Sequence, residues 1–375
     1  MKDYVKKIPS INLINDILNK TKEELEKMIP VNIMVIGKTG VGKSTLINNI
    51  FREELAETGI GKPVTKHLRK ISKQGMPINI YDTRGLELEE TTQQEVRNEI
   101  NNEIDRINIS NNDKEYIHII WYCINAQSNR IEDYEVNWIK ELAGKLPVIV
   151  VLTQSIFSKS KELEKMIDDL NCNISGTARV VAQPFEEENF KIDRFGLKEL
   201  VEMTYEILPE AVKRSFNNAQ KVHIKRKVDE ARTWSLGYIT TSFGVGFTPI
   251  PFADAAVLAP IQVGMIAHIT TIFGVKLEKA LLTSIVSSLA GITGATFLGR
   301  TIVANLFKLF PGVGTIAGGI ISGSTASIVT TGLAFSYIEA MKIISENEYR
   351  GIRVSDEEIG RKIKGELGKQ FKKHS

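Results

Sequence analysis

The segment from Gly37 to Ser44, GKTGVGKS, constrains the fold of this chain more than any other part of its sequence. It follows the apolar run VNIMVI at 31–36 and matches the pattern GxxxxGK[ST], whose glycines let successive backbone N–H groups turn inwards around phosphate oxygens. A helix that begins directly after the loop adds its positive N-terminal end to this cradle. A simple glycine turn would not require Lys and Ser at this spacing. The chain is therefore expected to form a strand, a phosphate-binding loop and a helix in that order.

The same pattern assigns a role to each position of the loop. Lys43 is expected to bridge the β- and γ-phosphates and to support catalysis, and Ser44 is expected to place its hydroxyl on Mg²⁺. The predicted nucleotide-binding positions in this segment are Gly37, Lys38, Thr39, Gly40, Val41, Gly42, Lys43, Ser44 and Thr45.

Strand-like and helical segments alternate through the N-terminal half of the chain. Apolar runs occur at 31–36, 77–81, 116–124, 147–152 and 179–182, with a further edge strand at 67–73. Apolar strands that alternate with helices form a mostly parallel sheet covered by helices on both faces. The predicted fold class is therefore α/β, with a P-loop domain at 30–212. Residues 1–29 are expected to form an N-terminal helix that packs on the segment following it.

A second motif, DTRG at 82–85, follows the predicted strand at 77–81. The Asp82 carboxylate, at a strand end, can hold Mg²⁺ through water, and the Gly85 N–H can contact a γ-phosphate and lose it after hydrolysis. Such a motif alone is a common turn, but after a phosphate loop it indicates a nucleotide-dependent switch. The loop at 61–65 ends in Thr65, which would complete the magnesium ligands; Thr58 and Thr83 are the alternatives.

These motifs resemble those of Era-like GTPases, especially bacterial members related to the immunity-related GTPases that carry a C-terminal helical domain of unassigned function. The resemblance rests on GKTGVGKST, the KPVT loop, DTRG and the WYCIN strand followed by Asn129-Arg130, and later on FTPIPFAD at 247–254 and APIQ at 259–262. It implies a P-loop GTPase domain with GTP or GDP as the ligand and Mg²⁺ as the cofactor. It also implies hydrolysis of GTP, with Lys43, Thr65 and Gly85 as the catalytic residues.

The segment expected to read guanine departs from this family. After the VIVVL strand the family has Asn or Thr, Lys, any residue and then Asp, whereas this chain has TQSI at 153–156. Thr153 and Gln154 are still expected to contact the nucleotide, with Ala182 as a contact in a weaker second loop. Because Ile156 replaces the carboxylate, guanine loses a hydrogen-bond partner worth about 1–3 kcal/mol. Reduced selectivity for guanine is expected, and a nucleoside triphosphatase of relaxed base specificity is an alternative.

The residues expected beside the γ-phosphate predict slow hydrolysis. Leu86 follows Gly85 at the position where many GTPases have a water-orienting glutamine, and Gly40 replaces the asparagine that supports potassium-assisted hydrolysis. Arg84, Glu87, a second protomer or an activating protein are alternative sources of the missing group.

Charge is distributed unevenly along the chain. The whole chain has 48 Lys and Arg and 45 Asp and Glu, but 234–346 is nearly uncharged. This pattern predicts a hydrophobic helical domain at 233–346, preceded by a basic helical connector at 213–232. Uncharged stretches at 255–275, 280–299 and 309–338 reach the ~20 residues that span a bilayer. Ser, Thr and Gly in the second stretch make insertion marginal, so a compact soluble bundle is equally open.

Basic residues flank this hydrophobic domain on both sides. One group lies between Lys213 and Lys227, and the other in the basic tail at 347–375, where apolar residues recur every four positions as in an amphipathic helix. An anionic membrane surface is therefore a predicted partner. The alternative is that the tail covers the apolar seam of a soluble bundle. A net charge of +3 is too small to predict nucleic-acid binding.

The N-terminus and the cysteines favour a cytoplasmic chain. The first ten residues contain no apolar stretch of the kind found in a signal peptide, and the two cysteines, Cys123 and Cys172, do not form a disulfide framework. We expect a cytoplasmic location, either free or peripheral or integral at the inner face of the membrane. The leading hypothesis is a GTPase switch that controls a helical effector domain, and the rival is a membrane-inserting or scaffolding protein with little hydrolysis.

Overall fold

The computed structural model describes residues 13–52, 55–58, 60–83, 90–110, 112–187, 190–245, 254–276, 278–289 and 323–352, together with positions 355, 358, 359, 361 and 365. The strands are β1 (Val31–Ile36), β2 (Ile60–Pro63), β3 (Leu68–Ser72), β4 (Ile78–Thr83), β5 (Ile119–Asn125), β6 (Val148–Thr153), β7 (Gly176–Arg179), β8 (Phe185–Glu187) and β9 (Phe190–Ile192). The helices are α1 (Leu13–Glu26), α2 (Lys43–Ile50), α3 (Leu55–Thr58), α4 (Glu90–Ile109), α5 (Asp133–Ala143), α6 (Lys159–Asp169), α7 (Leu197–Ile207), α8 (Glu210–Ala219), α9 (Ile224–Val245), α10 (Asp254–Phe273), α11 (Lys279–Leu289) and α12 (Gly323–Arg350).

The chain divides into two compact units. One is Met28–His223, and the other combines Met1–Lys27 with Ile224–Ser375. We call the first the sheet unit and the second the helical unit.

Seven strands of the sheet unit form one sheet in the order β2-β3-β4-β1-β5-β6-β7. β1 runs parallel to both β4 and β5, and β6 and β7 continue this parallel arrangement. β2 and β3 run antiparallel at one side of the sheet. The strand predicted at 67–73 is β3, but it is not the edge strand, because β2 pairs with its outer side. The predicted mostly parallel α/β sheet is confirmed. The strand predicted at 179–182 ends at Arg179, because Val181 instead pairs with Phe195.

Helices cover both faces of the sheet because its central strands are apolar on both faces. β1 and β6 are buried along their whole length. On one face, α5 and α6 contribute Trp138 and Leu163 to the core. On the other face, Phe51 stacks on Trp121 with ring centroids 5.8 Å apart, and Phe216 of α8 meets Phe51 edge-on. Two separate apolar layers therefore hold the sheet.

The helical unit packs α1 and α9–α12 around one apolar core. Ile17 of α1 is fully buried there, with Ile14 and Leu18 beside it. The N-terminal helix therefore packs on the C-terminal helices, and the expectation that it packs on the segment directly following it was wrong. The physical reason is that α4–α8 already cover the faces of the sheet, whereas the C-terminal helices have apolar surface that matches the stripe on α1.

The basic stretch at 213–232 is divided between the two units. α8 ends at Ala219 and α9 begins at Ile224. Between them, the Gln220 side-chain oxygen accepts hydrogen bonds from the backbone N–H groups of Val222 and His223 at 2.7 Å each. This stretch therefore contains the end of α8, a turn stabilised by the Gln220 side chain, and the start of α9.

Several lysines of this stretch bind within their own unit. Lys221 donates to the Asn48 carbonyl at 2.7 Å, and Lys213 pairs with Glu210. Lys227 is fully buried, and its ammonium donates to the carbonyls of Ile272 and Phe273 at the end of α10, where the helix dipole favours a cation. The charges of these residues therefore serve local packing.

No helix in the described part of the chain combines the length and apolarity required to cross a bilayer. α10 corresponds to the uncharged stretch at 255–275 and contains Pro260. Residues 290–322, which hold parts of the other two uncharged stretches, lie outside the described residues, as does most of the tail at 362–375.

Candidate nucleotide-binding site

The phosphate loop joins β1 to α2 at the centre of the sheet. Gly37 has a φ of +155°, and a Cβ at this position would lie 2.5 Å from the Cys123 carbonyl oxygen on β5. Only glycine allows the loop to pass so close to the neighbouring strand. Gly42, with φ of +98°, precedes the first residue of α2 and also requires the left-handed region. The predicted order of strand, loop and helix is the one observed.

Lys43 lies inside this loop. Its side chain is buried, and its ammonium donates to the carbonyls of Gly37 at 2.6 Å and Lys38 at 3.0 Å. These two carbonyls hold the charge beneath the loop, where it can meet phosphate oxygens. Ser44, in the first turn of α2, is exposed, as the predicted magnesium ligand requires.

The remaining positions of the loop differ in what they offer a phosphate. The Lys38 ammonium lies 3.8 Å from Glu135 and 5.2 Å from the ring centroid of Tyr134, so it is held on α5. The backbone of Lys38 is therefore its candidate phosphate contact. Thr39 and Gly40 are exposed, Val41 is buried, and Thr45 is half-buried beside the base pocket described below.

Cys123 lies directly behind the phosphate loop. Burial raises the pKa of its thiol to about 12. The thiol is therefore uncharged at neutral pH. Both cysteines of the chain are free and buried.

Asp82 lies at the end of β4 beside the strand that leads into the loop. The parallel register pairs it with Val35, and its side chain is buried. Arg69, opposite it on β3, donates to the carboxylate at 3.4 Å. Thr83, one of the alternative magnesium ligands, is also buried, and its hydroxyl donates to the Val35 carbonyl at 3.3 Å. This hydrogen bond joins β4 to β1 and uses the hydroxyl that would otherwise be available to magnesium.

Thr65 lies in the turn between β2 and β3. Its hydroxyl accepts a hydrogen bond from the Leu68 N–H at 3.1 Å and also hydrogen-bonds to Glu99 of α4. His67 donates its backbone N–H to the same carboxylate at 2.9 Å. Partial burial opposes ionisation of Glu99, but these hydrogen bonds outweigh it, and the pKa of Glu99 lies below its ordinary value. The ionised Glu99 carboxylate therefore links the turn that contains Thr65 to α4 by hydrogen bonds.

The donor atoms fit magnesium chemically. Mg²⁺ prefers oxygen ligands and is usually held by one or two carboxylates, water and substrate phosphates. Ser44, Thr65 and Asp82 offer two hydroxyls and one carboxylate. The described residues include no group of three or more His, Cys, Asp or Glu that could hold a metal by itself. The predicted Gly85, with Arg84, Leu86 and Glu87, and the side chain of Thr58 lie outside the described residues.

A pocket of about 270 Å³ extends from the N-terminal end of α2 along the carboxyl ends of β5, β6 and β7. Gly42 and Thr45 form the end nearest the loop. The rest is formed by residues that follow β5, β6 and β7: Gln127, Thr153, Gln154, Ile156, Val180, Val181, Ala182, Gln183, Pro184 and Phe185. The predicted contacts Thr153, Gln154 and Ala182 therefore line one pocket with the N-terminal end of α2.

Thr153 and Gln154 join this pocket to the phosphate loop. The buried Thr153 hydroxyl lies 2.5 Å from the Val41 carbonyl and 3.0 Å from the Ile124 carbonyl. Gln154 adopts a left-handed φ of +51°, and its amide donates to the Gly40 carbonyl at 3.4 Å. The loop after β6 therefore holds its shape through contacts with the phosphate loop.

None of the described residues that line this pocket carries a charge. Its polar side chains besides Thr45 and Thr153 are the amides of Gln127, Gln154 and Gln183, each of which offers both donors and an acceptor. Ile156 lies where the family has a carboxylate. The sequence did not identify Gln127 and Phe185 as pocket residues. The pattern FEEENF at 185–190, with an aromatic residue on each side of a polar segment, could have predicted a β-hairpin there.

A phosphate loop between β1 and α2 of a mostly parallel sheet, with the Asp82 carboxylate near the end of β4 and a pocket beyond it, is the arrangement of a P-loop nucleotide-binding domain. Residues 32–154 match the family described as 50S ribosome-binding GTPase. Residues 215–362 match the family described as Domain of unknown function (DUF697). The chain thus combines a GTP-binding P-loop GTPase domain with a C-terminal domain of that second family.

Curated relatives share parts of the chain. Cell division control protein 10 of Saccharomyces cerevisiae is 26% identical over 214 residues, which cover 49% of this chain and 61% of that protein. Magnetosome membrane protein 22 of Magnetospirillum gryphiswaldense is 29% identical over 92 residues, which cover 24% of this chain and 47% of that protein. The chain therefore spans about three fifths of the yeast relative's length and less than half of the magnetosome protein's.

A solved structure shows a more distant likeness. The crystal structure of Toc33 from Arabidopsis thaliana in complex with Mg²⁺ and GMPPNP is 18% identical, covers 56% of this chain and 94% of its own, and has a TM-score of 0.32. This likeness is too low for the role of any residue to be transferred from it.

Replacing Lys43 with Ala should remove tight nucleotide binding, with a loss of roughly a hundredfold in affinity, because it removes the charge held at the centre of the loop. Titration with a fluorescent GTP analogue measures this loss. Lys38→Ala is the matched control, since its ammonium is held on α5. Unchanged affinity in a Lys43→Ala protein with a normal melting temperature would contradict the assignment of the phosphate loop.

Proposed function

We propose that this protein is a GTPase switch in which the nucleotide state of the sheet unit controls the helical unit. The observation that carries the proposal is the position of Lys43 beneath the phosphate loop, beside Asp82 near the end of the neighbouring strand β4. Lys43, Thr65 and Gly85 act as the catalytic residues, and Ser44, Thr65 and Asp82 hold Mg²⁺. Binding and hydrolysis of GTP then change the contacts of the loops that carry Thr65 and Gly85.

Within P-loop GTPases, we propose an Era-type domain at 30–212. The supporting residues are the loop GKTGVGKST and the DTRG motif, together with the C-terminal FTPIPFAD segment. The remaining proposed segments are 1–29 as an N-terminal helix, 213–232 as a basic connector, 233–346 as the helical effector domain and 347–375 as a basic tail.

Hydrolysis by the isolated protein is proposed to be slow. Leu86 cannot orient a water molecule, and Gly40 cannot bind potassium through a side chain. A second copy of the chain or an activating protein would then supply the missing group, as an inserted arginine does for other GTPases.

Turnover separates the switch from its rival, a nucleotide-dependent scaffold. We expect single-turnover GTP hydrolysis to be slow but measurable and to fall to background in Asp82→Ala, because magnesium loses its carboxylate. Phosphate release after rapid mixing with magnesium is the measurement. A wild-type protein that binds GTP tightly without any hydrolysis, even at high protein concentration, would support the scaffold instead.

Base selectivity separates a GTPase from a nucleoside triphosphatase of relaxed specificity. We expect GTP to bind better than ATP by a small margin, because Ile156 offers guanine no acceptor. Ile156→Asp should raise the preference for GTP over ATP roughly tenfold or more, because the new carboxylate can accept hydrogen bonds from the N1 and N2 hydrogens of guanine. Competition titrations of both nucleotides measure the ratio, and Ile156→Val is the control. Equal affinities in wild type would favour the relaxed alternative.

Membrane association is the second part of the proposal. Trp234, Leu236 and Phe243 are exposed on α9, and Lys225 is exposed at its start. A basic residue at an anionic surface contributes about 1 kcal/mol. We expect the protein to be cytoplasmic and to bind the inner face of the membrane reversibly.

Liposome flotation tests this association. Full-length protein should float with anionic liposomes more than with neutral ones, and to a different extent with GTP and with GDP. Trp234→Ala combined with Phe243→Ala should reduce flotation, whereas Ile109→Ala, at an exposed apolar residue of the sheet unit, should not. A monodisperse protein that never floats would leave the helical unit as a protein-interaction domain.

A further inference from the structure

β8 begins beside the base pocket and pairs with β9 in an antiparallel hairpin. Its strands pair Phe185 with Ile192 and Glu187 with Phe190. Phe185 lines the pocket directly after Ala182, Gln183 and Pro184. The hairpin thus begins at the end of the loop that contacts the base, and its first residue reaches the space that a base would fill.

An aromatic cluster joins this hairpin to the other base-contacting loop. Phe190 stacks on Phe157, with ring centroids 6.3 Å apart and planes 12° from parallel. Phe185 meets Phe190 edge-on at 6.3 Å. Because Phe157 directly follows Ile156, the cluster connects the loop after β6 to the hairpin and fixes the position of Phe185.

The chemistry of the pocket explains why an aromatic ring would be useful there. The described residues that line it are uncharged, so they offer the edge of the base amides and hydroxyls but no carboxylate. A lost hydrogen-bond partner weakens binding by roughly 5- to 150-fold. Stacking of a base on an aromatic side chain strengthens binding by a similar factor, and it does not depend on which base is stacked. An aromatic face can therefore offset the missing carboxylate in affinity without restoring its selectivity.

We propose that Phe185 is a base-stacking residue and that the β8–β9 hairpin is a base-binding element, held in place by Phe157 and Phe190. This inference rests on the proposed function, because it takes a purine nucleoside triphosphate as the ligand. Phe185 contributes affinity for GTP and ATP alike, whereas position 156 sets the ratio between them. Phe157 and Phe190 act through Phe185 and are positioning residues.

The test compares nucleotides with inorganic tripolyphosphate, which has no base. Phe185→Leu should weaken binding of both GTP and ATP roughly tenfold, leave their ratio unchanged and leave tripolyphosphate binding unchanged. Phe185→Tyr keeps the ring and should bind all three ligands like the wild type. Phe190→Leu should give a smaller loss of the same kind. Met166→Ala, at an exposed residue of α6, is the control.

Each outcome has a separate meaning. Loss of tripolyphosphate binding in Phe185→Leu, or a changed GTP-to-ATP ratio with unchanged mean affinity, would overturn the stacking role. Unchanged affinity for both nucleotides would overturn it as well. If the wild type binds none of the three ligands, the proposed function itself fails, and Lys43→Ala, which should weaken tripolyphosphate binding as well as nucleotide binding, tests that function independently of the hairpin.

Discussion

The central position of β1 in the sheet is the constraint on which the nucleotide site depends. Because β1 pairs in parallel with both β4 and β5, the carboxyl ends of three strands meet at one edge of the sheet. The loop after β1 crosses this edge so closely that a Cβ at Gly37 would lie 2.5 Å from the Cys123 carbonyl oxygen. A side chain at this position would displace the loop or β5. The place of Lys43 and the start of α2 follow from this one approach.

The two ends of the site are in direct contact but differ in their chemistry. The Thr153 hydroxyl lies within hydrogen-bond distance of the carbonyls of Val41 and Ile124, and the Gln154 amide donates to the Gly40 carbonyl, so the loop after β6 packs directly on the phosphate loop. At the phosphate end, a buried ammonium and backbone N–H groups provide charge and direction. At the base end, neutral amides and the ring of Phe185 provide contact area. Under the proposed function, such a site would draw most of its affinity from the phosphates and from the faces of the base, and little from the edge of the base.

Several buried polar groups of the helical unit are paired within that unit. Lys227 is buried, but it donates to two carbonyls at the end of α10. The Tyr337 hydroxyl lies 2.6 Å from that of Thr270, and the buried hydroxyls of Thr270 and Thr271 each lie 2.8 Å from a carbonyl one turn earlier in α10. Hydroxyl groups that are already paired cost little to remove from water. Composition alone therefore cannot distinguish a compact bundle from a membrane-facing one.

The sequence by itself determined the α/β class, the mostly parallel order and the phosphate loop, because strand periodicity and the GxxxxGKS spacing are local patterns. It did not predict that α1 packs on the C-terminal helices, because an apolar stripe shows that a helix packs against something but does not indicate which element it contacts. Nor did it predict that Gln127 and Phe185 share a pocket with Ile156, or that Arg69 faces Asp82. Tertiary structure decided these contacts, because residues distant in sequence meet only when strand order and register are set. The phosphate end could be predicted because its groups lie within one loop, whereas the base end is assembled from three loops that only the folded sheet brings together.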